Sequence, residues 1–270
     1  ESHLVSAPIS AFGVFYNSAF IGYTNGVLRI FDLGDNTLHE MLETDSGEPI
    51  SNFCESCGLL QGRHSFCNSH GLVFCSTTKG GITVHCPFCR HFVASWRIAK
   101  TKIIKMFVID QTLVGLERHS INTWVDIDDS LVSVDSVKFE DDLTATVFAA
   151  ASKNRLFVGF DDGKVKCLQM EDSHLQGLFM IGLSDTGLIT MLSSIDLPEE
   201  AEEAKDTVVA IGSDCTLYVL EATQGFIQYK THIPKFMNTL HSCFAYFDFA
   251  HLVFALDRNI KLFIWPALTP

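Results

Sequence analysis

Short apolar runs alternate with turn residues along most of the chain. Runs of four to eight β-branched or aromatic residues are each followed by a turn signal and then by another such run. Leu156–Phe160, Asp161–Gly163 and Lys164–Leu168 form the clearest example, because Asp-Gly supplies the positive φ angles that a tight hairpin turn needs. Apart from the acidic stretch Pro198–Asp206, no segment sustains a helical period. The pattern predicts an all-β protein.

The hairpins recur at a regular spacing. Comparable positions in the first strand of each unit lie 41 to 53 residues apart, namely Ile9, Ile50, Ile103, Thr144, Ile189 and Thr239. A period of about 45 residues with four short strands per unit is typical of a β-propeller. The sequence therefore predicts one propeller over residues 1–270, with six blades favoured over seven. We expect the N- and C-terminal strands to pair and close the ring, with Glu1–Ser6 as the outer strand of the last blade. A pair of β-sandwiches is the alternative architecture.

Three strand ends carry a resemblance to a known family. They are Leu28–Leu33, Asn122–Asp126 and Leu262–Trp265, and each resembles the Trp-Asp strand end of WD40 repeats. The Gly-His pair that opens a regular WD40 repeat is missing, so the hydrogen-bond network of regular WD40 blades cannot form in its usual way. The resemblance implies a divergent WD40-like propeller, a non-enzymatic scaffold that docks partner proteins in an intracellular multiprotein assembly.

Composition and charge narrow the classes of function. The chain has 32 acidic and 19 basic side chains, a formal net charge of −13, and no cluster of Lys and Arg. We therefore expect no direct binding to nucleic acid or to an anionic membrane. The longest apolar runs, such as Ala145–Ala151, fall far short of the roughly 18 residues that a spanning helix needs. Nine cysteines, an odd number, favour reduced thiols and hence a protein of the cytoplasm or nucleus.

The cysteines indicate the one candidate metal site. Six of the nine lie in residues 54–89, within the predicted second blade at about residues 49–99. The spacing of two Cys-x2-Cys pairs resembles a zinc ribbon, with the candidate ligands Cys54, Cys57, Cys86 and Cys89. Alternative ligands from the intervening loop are Cys67 and His70. In a four-stranded blade the first and third strands end at the same rim, roughly 9–10 Å apart, so the two pairs could close on one structural zinc. Packing of the cysteines as small hydrophobic residues is the alternative.

Two further features concern interaction surfaces. The acidic stretch offers Glu199, Glu200, Glu202 and Glu203 as a docking site for a basic partner, against the alternative of a solvated loop. The aromatic-rich segments Phe244–Phe249 and Phe15–Tyr16, together with Trp96, are candidates for an apolar surface. The chain carries no recognisable catalytic motif, so we expect no enzyme activity. The alternative function is a metal-dependent enzyme or a small-molecule binder that uses the central channel of the propeller.

Overall fold

The computed structural model describes most of the chain, namely residues 7–34, 39–57, 59–60, 71–89, 92–140, 142–151, 154–183, 187–195, 207–214, 216–232, 243–248, 251–256 and 259–263. All the regular secondary structure in these residues is β-strand, which confirms the predicted all-β class. Within the same residues no helix is long and apolar enough to cross a membrane.

The strands form antiparallel sheets, each built from consecutive strands. Sheet 1 contains β1 (Ile9–Phe15), β2 (Ser18–Tyr23), β3 (Val27–Asp32) and β4 (His39–Asp45). Sheet 2 contains β5 (Ile50–Cys57), β6 (Gly71–Thr77), β7 (Gly81–His85) and β8 (Phe92–Arg97). Sheet 3 contains β9 (Lys105–Ile109), β10 (Thr112–Leu116), β11 (Ser120–Ile127) and β12 (Ser130–Lys138).

The later sheets follow the same plan. Sheet 4 contains β13 (Ala145–Ala151), β14 (Arg155–Phe160), β15 (Lys164–Glu171) and β16 (His174–Gly182). Sheet 5 contains β17 (Ile189–Ile195), β18 (Thr207–Gly212), β19 (Thr216–Glu221) and β20 (Ile227–His232). Sheet 6 contains β21 (Cys243–Asp248), β22 (His251–Leu256) and β23 (Asn259–Phe263). The chain divides into two compact units, of which the first comprises residues 1–141 with 171–175 and the second comprises residues 142–170 with 176–270.

Sheet 2 lies at the centre of the first unit, because its strand β5 contacts both β1 and β9. One face of sheet 2 packs on sheet 1, where Phe53 joins the buried Phe20 in one cluster. The other face packs on sheet 3, where Phe74 shares a cluster with Leu113 and Trp124. Burial of each of these large side chains contributes about 1.5–3 kcal/mol, so both faces of sheet 2 stabilise the unit. This explains why every side chain of β6 is buried.

In the second unit, sheets 4 and 5 share one apolar cluster that includes Phe157 and Tyr218. The Thr146 hydroxyl on β13 donates a hydrogen bond to the Ile189 carbonyl on β17 at 2.6 Å. Gly159 makes the close approach of these sheets possible, because a Cβ there would lie 2.7 Å from Cγ2 of Ile189. The sheets are therefore held by packing and by a side-chain to backbone hydrogen bond.

An irregular register recurs at the start of the first strand in several sheets. It falls between Ile9 and Ala11 in sheet 1 and between Ile50 and Asn52 in sheet 2. The equivalent irregularity in sheet 5 follows Ile189. These three isoleucines are among the positions from which the sequence period was counted, so the repeat has a structural counterpart in a recurring register shift of the first strand.

The predicted single closed six-blade propeller is wrong. Within the described strands the sheets are separate and open, and none of their pairings joins an N-terminal strand to sheet 6. The predicted outer strand Glu1–Ser6 lies outside the described residues. Apolar runs and turn signals specify pairing between strands that follow each other, and those hairpins did form. Closure depends on contacts between the two ends of the chain, which a short-range pattern does not encode.

Candidate functional site

One cysteine of each Cys-x2-Cys pair lies where β5 and β7 end in sheet 2. Cys57 is the last residue of β5 and pairs with Gly71, the first residue of β6. Because β6 is antiparallel to both neighbours, β5 and β7 run in the same direction and end at the same edge. Cys86 directly follows the end of β7. The carboxyl ends of the two strands thus bring one cysteine from each pair to a shared edge.

A tight turn joins the second pair. The backbone N–H of Cys89 donates a hydrogen bond to Cys86 Sγ at 3.4 Å. Cys86 is buried and Cys89 is half-buried. The ring of Phe88, between them in sequence, lies 5.3 Å from the ring of Tyr16. Tyr16 in turn covers Gly71, where any Cβ would collide with the tyrosine ring. Aromatic packing therefore holds the turn against the start of β6.

Cys54 lies deeper in sheet 2 than Cys86 does. It is buried in the cluster between sheets 2 and 3, and this burial, together with the charge of Glu55, raises the pKa of its thiol well above the usual range. Cys54 pairs with Phe74 of β6, and Phe74 pairs with Val84 of β7, which precedes Cys86 by two residues. The Cα atoms of Cys54 and Cys86 are thus two strand spacings apart across the sheet and two residues apart along it, a separation of roughly 12 Å.

Some of the predicted ligands cannot be placed. Cys67 and His70 lie outside the described residues, and only the backbone of Cys57 is described. Among the side chains that are described, no group of three or more His, Cys, Asp or Glu is arranged to hold a metal ion. The zinc site therefore remains a prediction, for which the structure describes the Cys86–Cys89 turn and the strand end at Cys57.

The segment after Cys57 is anchored in sheet 3. Leu59 and Leu60 are both buried, and Leu60 has a positive φ of 59°. The Leu60 N–H donates a hydrogen bond to Asp126 Oδ2 at 2.9 Å. A non-glycine residue in the left-handed region costs free energy, which burial of the leucine side chain and this hydrogen bond offset. The start of the cysteine-rich loop thus has a defined position.

His85 is a buried polar side chain that sequence reasoning did not single out. It is 1% exposed, its Nε2 lies 3.1 Å from the Thr83 hydroxyl, and its Nδ1 has no hydrogen-bond partner among the described residues. Burial lowers its pKa to about 4, so the imidazole is neutral at pH 7. His85 lies on the opposite face of β7 from Val84, and the Thr83 hydroxyl beside it also interacts with the Cys75 thiol. Alternation along β7 puts His85 in the same set as the half-buried Gly81 and Thr83, so that pattern does not predict its burial.

A small polar cavity lies elsewhere in the first unit. Its volume is about 280 Å³, and its lining includes Asp110, Asp126, Thr112 and Ser173. The hydroxyls of Thr112 and Ser173 are 2.6 Å apart, and Asp126 Oδ1 has no hydrogen-bond partner in the described part. Asp128 and Asp129, in the turn between β11 and β12, have positive φ values of 49° and 59°, as a tight hairpin turn requires. The cavity has room for several water molecules or a small polar ligand.

The predicted acidic docking site, Glu199, Glu200, Glu202 and Glu203, lies outside the described residues. Of the predicted aromatic surface, the side chains of Phe244–Phe249 are likewise not described. Phe15 and Tyr16 are half-buried against the cluster between sheets 1 and 2 instead of forming an exposed patch. Trp96 is half-buried against the cluster between sheets 2 and 3.

One exposed apolar surface of the first unit lies on β1. Ile9, Phe12 and Val14 are 61%, 63% and 53% exposed, and we call these three side chains the β1 patch. Sequence reasoning missed the patch. The signal was that β1 carries apolar residues at both odd and even positions, which is more apolar side chains than a single buried face can cover. Contiguous exposed apolar side chains on a folded protein mark interaction sites.

Comparisons with known proteins bear on the fold alone. No protein-family model matches the chain. No curated protein matches it either. Among solved structures it is similar to the crystal structure of the computationally designed Ika8 protein, with a TM-score of 0.64 and 17% sequence identity. The match covers 95% of this chain and 71% of that chain. At this identity the likeness shows a shared fold and carries no function.

Proposed function

We propose that this chain is a non-enzymatic protein-interaction module that docks partner proteins in an intracellular assembly. The single observation that carries the proposal is the β1 patch, where Ile9, Phe12 and Val14 expose large apolar side chains side by side on one strand. Their combined exposed surface is on the order of 300 Å², in the range of patches that serve binding on soluble proteins. A partner that covered them would gain this apolar contact.

The position of the patch on β1 favours docking without distortion of the core. In sheet 1, β1 pairs with β2 on one side, and buried Phe20 of β2 packs towards sheet 2. The exposed side chains Phe12 and Val14 are two residues apart and therefore share one face of β1. Because β1 is already hydrogen-bonded to β2, its backbone is ordered before a partner binds, which limits the conformational entropy lost on binding.

Charge supports a protein partner over a nucleic acid. The net charge of −13 repels phosphate backbones, and binding to nucleic acid requires clustered Lys and Arg side chains. The same net charge favours a partner surface with basic residues around an apolar centre, because complementary potentials raise the association rate. The acidic segment at Glu199–Glu203 remains a second candidate contact for such a partner.

Affinity purification with a matched pair of variants tests the proposal. Tagged wild-type protein, the double variant Phe12→Asp with Val14→Asp, and the control Val132→Asp are each purified from the native cell, and bound proteins are identified by mass spectrometry. Val132 is an exposed apolar residue of β12 in the same unit, 41% exposed, so its replacement makes a comparable surface change. We expect the double variant to lose partners that the control retains, with both unfolding at the wild-type urea midpoint. Partners that bind the double variant as well as the wild type, or a wild type without partners, would refute docking through β1.

A further inference from the structure

The polar cavity of the first unit leads from the surface to buried acceptor atoms. All the residues that line it belong to that unit. At one end the lining residues Asp110 and Gln111, which form the turn between β9 and β10, are exposed. Deeper in, Thr112 is 1% exposed and the Oδ1 atom of Asp126 is buried. A ligand can therefore enter a space of about 280 Å³ past the turn and reach groups that are shielded from solvent.

Asp126 has one carboxylate oxygen without a hydrogen-bond donor. Its Oδ2 accepts a hydrogen bond from the N–H of the buried Leu60 at 2.9 Å, so the carboxylate has a fixed position. Its Oδ1 has no hydrogen-bond partner among the described residues. A buried carboxylate oxygen without a donor costs free energy, and a ligand that donates an N–H or O–H group to it would recover that free energy.

Hydroxyl groups on the cavity wall add acceptors in fixed positions. The Thr112 hydroxyl donates to the Asp110 carbonyl at 3.5 Å and lies 2.6 Å from the Ser173 hydroxyl. Because Thr112 uses its proton in this way, Ser173 donates to Thr112, and the lone pairs of Ser173 can accept from a ligand. The Thr123 hydroxyl holds the Ser173 backbone, since it donates to the Ser173 carbonyl at 2.7 Å.

The chemistry of the lining favours an organic cation with several N–H donors. The described residues that line the cavity include two carboxylates, Asp110 and Asp126, and no basic side chain. A calcium ion takes about six to eight oxygen ligands, and in the described part of the chain no group of three or more His, Cys, Asp or Glu is arranged to hold a metal ion. A guanidinium or ammonium group instead needs one carboxylate and a few neutral acceptors, which this cavity supplies.

We propose that this cavity binds the guanidinium or ammonium group of an Arg or Lys side chain from a partner protein, with Asp126 Oδ1 as the main acceptor. A long side chain can reach Asp126 past the exposed turn. The net charge of −13 favours the approach of such a basic partner. The identity of the occupant rests on the proposed docking function, whereas recognition of the cation by the cavity does not.

Titration of the purified wild-type chain with small cations tests the recognition without any partner. Methylguanidinium and methylammonium carry the N–H donors of Arg and Lys, whereas tetramethylammonium carries the same charge and no donor. The NMR signal of the Leu60 amide reports binding at constant ionic strength, because this N–H bonds to Asp126. We expect saturable binding of methylguanidinium or methylammonium with a Kd below about 10 mM, and binding of tetramethylammonium at least about tenfold weaker. No saturable binding of either N–H cation, or equal binding of all three, would overturn the proposal.

Two variants that each remove one carboxylate test the role of Asp126. Asp126→Asn keeps the size of the side chain and its acceptor for the Leu60 N–H, and we expect it to weaken binding of the N–H cations at least about tenfold. Asp128→Asn is the control, because Asp128 is exposed, does not line the cavity and has a φ of 49° that Asn tolerates. We expect it to weaken binding no more than about threefold. Equal weakening by the two variants would show a general effect of charge and would overturn the proposal.

Affinity purification of the same two variants from the native cell tests the occupant. We expect Asp126→Asn to lose a partner protein that the wild type and Asp128→Asn retain. Retention of every partner by Asp126→Asn would overturn the assignment of the occupant, even where the double variant Phe12→Asp with Val14→Asp loses its partners. A wild type without partners would refute the docking function and this occupant together, whereas the titration decides cation recognition independently.

Discussion

Glu117 is a buried carboxylate that ties the segment before β9 to the turn between β10 and β11. It is 8% exposed. Its Oε2 accepts hydrogen bonds from the Thr101 N–H at 3.1 Å and from the Thr101 hydroxyl, and its Oε1 accepts one from Asn122 Nδ2 at 2.7 Å. Glu117→Ala leaves these three donors without their acceptor in a part-buried position. At about 1 kcal/mol for each unsatisfied donor, we expect the variant to lose about 3 kcal/mol of unfolding free energy.

Glu117→Gln keeps the size of the side chain and should lose less unfolding free energy than Glu117→Ala. The difference between the two losses tests the role of the hydrogen bonds. In Glu117→Gln the amide oxygen keeps the two bonds from Thr101, and the Asn122 amide can rotate so that its oxygen accepts from the new NH2 group. The bonds become neutral, and the contact of Asn122 Nδ2 with Ser120 at 3.3 Å is lost. We expect a loss of about 1–2 kcal/mol.

Urea unfolding followed by tryptophan fluorescence measures both losses, since Trp124 is buried in the same unit. Glu140→Gln is the control, because Glu140 is exposed just after β12 and its change should stay within about 0.5 kcal/mol. A change below about 0.5 kcal/mol for Glu117→Ala would refute the reasoning. A Gln variant as destabilised as the Ala variant would show that charge, and not the number of hydrogen bonds, dominates.

Three further outcomes are expected from the packing. Phe74→Ala should lower the unfolding free energy measured in urea by about 3–5 kcal/mol, because the ring is fully buried between sheets 2 and 3. Phe12 is exposed, so Phe12→Ala should change it by no more than about 0.5 kcal/mol, and similar losses for both variants would contradict the burial pattern. Gly159→Ala should lower the unfolding free energy by about 1–3 kcal/mol and the Tm by several degrees, because the new Cβ would collide with Ile189. An unchanged Tm in a thermal scan would contradict this close approach. Burial raises the pKa of the Cys167 thiol to about 12, so iodoacetamide at pH 8.5 should modify Cys167 in urea but not in native buffer. Peptide mass spectrometry measures the modification, and rapid labelling of the native protein would disprove the burial of Cys167.

Local structure was largely predictable from the sequence, for reasons visible at individual turns. Asp162-Gly163 between β14 and β15 predicted a hairpin, and Gly163 has a φ of 83° while the Lys164 N–H bonds to Asp162 Oδ1 at 3.0 Å. These features depend on residues within a few positions of one another, where steric and hydrogen-bonding preferences act directly.

The candidate site was predictable only in part. The Cys-x2-Cys spacing identified Cys86 and Cys89, whose contact is set by four consecutive residues. It did not show that Cys54 lies two residues deeper than Cys86, because that offset is set by the pairing of three strands. The buried His85 was likewise assigned no role, since its unpaired Nδ1 results from packing and not from any motif.

By itself, the sequence determined the all-β class, the hairpins and the repeat of four short strands, because each follows from short-range alternation and turn chemistry. Tertiary structure alone decided how the sheets combine, and it overturned the expected closed ring. It also decided which apolar side chains stay in water, so that Phe12 is exposed while Phe20, a similar residue in the next strand, is buried. The physical reason is that closure and burial depend on contacts between segments that are far apart in the sequence. A local pattern encodes neither the entropy lost when such segments come together nor how well their surfaces fit.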